Sequence, residues 1–99
     1  MARWKTSPEP TESESEVVET LVAGMTLAEK LAQLGCVWST QLVEGEGDDA
    51  RFSPDRAAEL MADGTGQVTR IAASTGLRPD GIARFANEIQ RWLITNTRI

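Results

Sequence analysis

"GQVTRIAAST", residues 66–75, is the stretch on which the fold turns. Val68 and Ile71, with the β-branched Thr69, read as one short strand, and "ASTG" reads as the loop that leaves it. Beyond it, Arg78-Pro79-Asp80 opens a helix, because proline fits the first helical position and presets its φ. Ile82, Phe85, Ala86, Ile89, Trp92 and Leu93 recur at helical spacing, so the stripe carries that helix to about Thr95. Strand, loop and amphipathic helix make two-thirds of a βαβ unit, whose second parallel strand belongs directly after the helix. The sequence stops at Arg98-Ile99, where that strand should begin. A lone strand leaves its amides and carbonyls unpaired. Three explanations stand. The strand pairs with another copy, the stretch is not a strand, or the chain is a piece of something larger.

Upstream, Ser53 caps a helix with Pro54 at its first position. Ala57, Ala58, Leu60 and Met61 are expected to face inward, and Gly64 ends it. Gly64, Thr65 and Gly66 suggest a phosphate loop, but Thr69 stands at the third glycine position and no Lys-Ser/Thr pair follows. A helix-to-strand turn is the simpler reading. "EGEGDDA", residues 44–50, carries four acids without the ligand spacing of a calcium loop, so it reads as a solvated loop. Val37 to Val43 fits either a short helix or an extended piece. Thr26 and Glu29 form a capping-box pattern ahead of Leu27, Leu31 and Leu34, and Gly35 ends that helix. Val17, Val18, Leu21 and Val22 mark an earlier helix stopped by Gly24.

The expected organisation is a disordered acidic arm over residues 1–15 and a folded part over 16–99. Its elements run helix, helix, loop, helix, strand, helix: a mostly helical α/β chain with one short strand. Residues 1–65 carry −8 and residues 66–99 carry +3, giving the net −5 of the whole. That acidity argues against nucleic acid, and Arg84 and Arg91, a heptad apart, read as a solvated helix face. Histidine is absent, which removes the commonest general base and metal ligand. Cys36 is the one cysteine, which excludes an internal disulfide and any CxxC metal or redox site; in its apolar setting it is expected to be a buried thiol. No cofactor or metal is expected. No secretory signal and no membrane span is visible, so the chain is expected in the cytoplasm, away from membranes.

"MTLAEKLAQLG", "VWS", "FSPDRAAELMADGTGQVTRIA" and "ANEIQRWLITNTRI" stand in that order at intervals resembling the N-terminal part of the catalytic domain of glycoside hydrolase family 3. That family comprises β-glucosidases and β-xylosidases, and the likeness covers residues 16–99. It implies that the fold is the start of a (β/α)8 barrel, with residues 16–99 an incomplete N-terminal portion of the barrel domain. It also implies a retaining mechanism in the intact parent, acting on a β-linked glucoside or xyloside. That mechanism uses an aspartate nucleophile and a glutamate acid/base about 5–5.5 Å apart. The "SDW"-like motif of the nucleophile is absent, as is the "KH" pair that helps bind sugar hydroxyls, and none of the fifteen acids matches a catalytic position. Acids such as Glu44, Glu46, Asp48 and Asp49 are expected to be solvated, with no pocket around them.

By the likeness, the chain alone is an inactive fragment with no catalytic residue. Active sites of such barrels lie at the carboxyl ends of the strands, here Arg70 to Thr75. Arg70 is the single candidate for substrate binding, lining the active-site mouth of an intact parent; a structural ion-pair partner is an equal reading of it. The alternative is a small helical module without catalysis, binding a partner or another copy through the unpaired strand and the Trp92 face.

Overall fold

The computed structural model describes residues 11–99, without the side chains of residues 12, 73 and 74. In chain order the elements are α1 (Glu12–Ala23), α2 (Leu27–Gln33), β1 (Cys36–Trp38), β2 (Val43–Glu44), β3 (Arg51–Phe52), α3 (Pro54–Leu60), β4 (Gln67–Thr69), α4 (Ile71–Thr75) and α5 (Pro79–Asn96). Turns of 3-10 helix at Ser39–Leu42 and Gly47–Asp49 sit on either side of β2.

The strand foreseen in "GQVTRIAAST" exists as β4, and it is paired. β4 lies parallel to β1, with Cys36 opposite Gln67, Val37 opposite Val68 and Trp38 opposite Thr69. Segment 39–66, which contains α3, supplies the long crossover that a parallel pair requires. β2 and β3 form a second, antiparallel pair closed by the acidic loop. The expectation of one short strand opening a (β/α)8 barrel is therefore corrected. Four short strands make two two-stranded sheets, and the described residues contain no barrel. The partner strand precedes β4 instead of following α5. Its three residues are too few to show alternation, and the chain turns at Ser39 immediately afterwards.

Two boundaries also move. Ile71 belongs to α4, so "ASTG" is largely helix and not loop. α1 begins at Glu12, inside the stretch read as arm, while the arm's residues 1–10 lie outside the described residues. Its start is a reciprocal capping box. Thr11 Oγ1 accepts from the Glu14 amide at 3.2 Å, and Glu14 Oε2 accepts from the Thr11 amide at 2.7 Å.

The core gathers Val37, Leu42, Ala57, Met61, Phe85 and Ile89. β1, the turn after it, α3 and α5 each contribute, and Val43, Phe52, Val68, Trp92 and Leu93 pack around them. Phe52 meets Phe85 edge-on at 6.2 Å and 65°, pinning the β2–β3 pair to α5. α3 buries Ala57, and Met61 at its C-cap is buried as well, but Ala58 and Leu60 are exposed, a narrower face than the composition suggested. α5 matches its stripe, with Phe85 and Ile89 buried and Trp92 half-buried against the core. Trp92 is thus only partly covered. The exposed large apolar side chains include Val17, Val18, Leu21 and Val22 on α1, with Leu27, Leu31 and Leu34 on and just after α2.

Candidate functional site

Because β1 and β4 run parallel, their carboxyl ends lie at one edge, the edge where ligands bind in open α/β sheets. Trp38 ends β1, and Arg70 follows Thr69, Trp38's register partner. Arg70 has φ 60° and ψ 39°, and it is the one non-glycine with positive φ among the described residues. Left-handed backbone costs an L-residue about 1–2 kcal/mol, so something must hold it. The fully buried Ser39 does so in part, donating from Oγ to the Arg70 carbonyl at 2.9 Å. The Arg70 guanidinium lies 5.6 Å from the centre of the half-exposed Trp38 ring. Such a cation–π pair contributes about 0.5–1 kcal/mol at an exposed site. The Trp38 amide donates to Gln41 Oε1 at 3.0 Å, fixing the turn that brings Ser39 under Arg70.

The sequence-predicted residue Arg70 therefore sits at the expected edge. Trp38 and Ser39 are its partners, and local reading missed both. The β-prone Val37 and Trp38, two and three residues after the helix-ending Gly35, carried the signal. The pair places a flat apolar ring beside a cationic side chain at this edge.

Of the loop acids, Glu46, Asp48 and Asp49 are exposed, as expected of a solvated loop, and Glu44 is partly buried. Glu44 and Glu46 border an open depression with Thr40, Arg56 and Thr75, and Asp48 borders another beside Arg78 and Arg84. Glu44 has a structural task there. Its Oε1 accepts from Ser53 Oγ at 2.7 Å and its Oε2 lies 3.8 Å from Arg51, joining β2, β3 and the cap of α3. Among the described residues, no group of three or more cysteine, aspartate or glutamate side chains is placed to hold a metal ion.

Glu29 is the buried acid. Thr26 Oγ1 accepts from its amide at 3.1 Å, as the capping pattern predicted. The other half of the box differs: the carboxylate does not return to the cap amide. Glu29 Oε1 instead accepts from Arg98 Nη2 at 2.7 Å, Arg98 Nε at 3.1 Å and Thr26 Oγ1 at 3.2 Å. The hydrogen-bonded Arg98 guanidinium holds this carboxyl below the usual glutamate range; burial pushes the other way and is outweighed. Cys36 is exposed, not buried as expected, because the middle residue of β1, Val37, is the one that faces the core. No protein-family model matches this chain, and no curated protein matches it either.

Proposed function

We propose that this chain is a non-catalytic N-terminal segment of a retaining β-glycosidase related to glycoside hydrolase family 3. The observation that carries the reading is where the segments of the resemblance meet. Glu29 of "MTLAEK" bonds Arg98 of "NTRI". Trp38 of "VWS" stands opposite Thr69 of "GQVTRI". The Gly66 amide donates to Ala32 of "LAQLG" at 3.0 Å. Segments far apart in sequence thus form one contact set, as expected if they are inherited together. In the intact enzyme Trp38 and Arg70 would face a β-linked glucoside or xyloside as binding groups, while both catalytic carboxylates would come from elsewhere. The single cysteine accords with a reducing, cytoplasmic setting.

The purified 99-residue chain is expected to leave aryl β-glucosides and β-xylosides uncleaved. Turnover by the chain that survives replacement of every acid in residues 44–49 would overturn the reading, as would turnover that those acids carry. A second reading, a partner-binding or self-associating helical module, is favoured by the exposed apolar faces of α1 and α2. Light scattering separates the two: concentration-dependent dimers support the second, a clean monomer the first.

A further inference from the structure

α1 stands off the body, with residues 13–24 all exposed. Twelve residues are too few for a stable isolated helix in water, so its direction depends on what grips its ends. Arg98 reaches that corner from beyond α5. Its Nη2 donates to the carbonyl of Gly24, the residue that ends α1, at 3.0 Å. The same guanidinium donates to Glu29 in the first turn of α2. Arg98 is itself well placed, because Thr97 ties back through its amide and Oγ1 to the Leu93 carbonyl at 3.0 and 2.7 Å. Glu29 Oε2 is buried without a hydrogen-bond partner among the described residues, so Arg98 is the group that compensates this carboxylate.

We infer that Arg98 is a clasp that sets the angle between α1 and α2. Closed, it holds the apolar arc of Val17, Val18, Leu21 and Val22 in one orientation. Open, it lets α1 swing about Gly24–Thr26. The planar guanidinium fixes three bond directions at once; an ammonium point charge does not. This inference concerns presentation of α1 and holds whether or not the chain belongs to a glycosidase.

The test places spin labels at Ser15→Cys on α1 and Ala83→Cys on α5, in a Cys36→Ser background, and measures their distance distribution by pulsed electron resonance. A second pair, Ala58→Cys and Ala83→Cys, reports on the body alone. The chain with Arg98 intact is expected to give one narrow distance for each pair. In Arg98→Ala and in Arg98→Lys the α1 pair should broaden while the body pair stays narrow. A broad α1 pair before substitution overturns the clasp, and so does an unchanged α1 pair in both variants. Equal broadening of both pairs also overturns it, making Arg98 a general stability residue. Should Arg98→Ala fail to fold, Arg98→Lys alone decides.

Discussion

Gly66 has no side chain because there is no room for one. A Cβ there would collide with the backbone oxygen of Gln33, and it would lie 2.7 Å from that carbonyl carbon and 3.1 Å from the Gly35 oxygen. The close approach is what lets the Gly66 amide bond Ala32 and bring β4 alongside β1. Gly66→Ala should therefore lower the unfolding free energy by about 3 kcal/mol, read by urea denaturation. Glu29 makes a different prediction. Its folded carboxyl is held below the ordinary range, so the unfolded chain binds its proton first as pH falls. Its stabilisation is complete above the unfolded glutamate pKa and is lost as pH drops through the lowered folded value. Glu29→Gln should reduce stability at neutral pH and flatten this part of the curve, seen in thermal melts from about pH 7 to pH 3. The capping role of Thr26 was legible in the sequence because caps are local. The Arg98 partner was not, since it lies 69 residues away and nothing near Glu29 encodes it.

Elements with end signals and long stripes were readable: α3 from Ser53-Pro54, α5 from Arg78-Pro79 and its apolar repeat. The start of α1 carries the same threonine-to-glutamate spacing as α2, yet the polar composition around Thr11 masked it. β1 was ambiguous for a physical reason. Three residues show no period, and their conformation is fixed by β4 and by Val37 entering the core. Leu42, fully buried in the turn after β1, holds that arrangement, and its carbonyl accepts from the Ser53 amide at 2.8 Å. Leu42→Ala should cost about 2–5 kcal/mol in chemical denaturation. At the β4–α4 junction, Arg70→Gly removes a left-handed strain of about 1–2 kcal/mol together with the stacking on Trp38. Stability should stay within about 1 kcal/mol, because glycine's own entropy cost offsets the relief. Arg70→Val, β-branched at positive φ, should be clearly less stable than Arg70→Gly in the same assay. The position of Arg70 at a strand's carboxyl end was legible; its left-handed backbone and its Trp38 partner emerged only from the fold.

Among the described residues the molecule has a core of six buried apolar side chains, with apolar faces of α1 and α2 left outside it. Its radius of gyration is 16.4 Å, against about 13 Å for a compact chain of 100 residues, in keeping with a helix that stands off the body. Those outer faces contribute little to the isolated fold. The double substitution Val17→Ser, Leu21→Ser should change stability by only about 0.5 kcal/mol, and it should abolish any association seen by light scattering. The proposed function is that the chain supplies structure and binding groups to a catalytic apparatus held elsewhere. It is tested most directly by mixing the full chain with a family 3 β-glucosidase from which the segment matching residues 16–99 has been removed, and following hydrolysis of an aryl β-glucoside. The account predicts no hydrolysis by either part alone and measurable hydrolysis by the mixture. A mixture as inert as its parts, or hydrolysis by the chain alone, would contradict it.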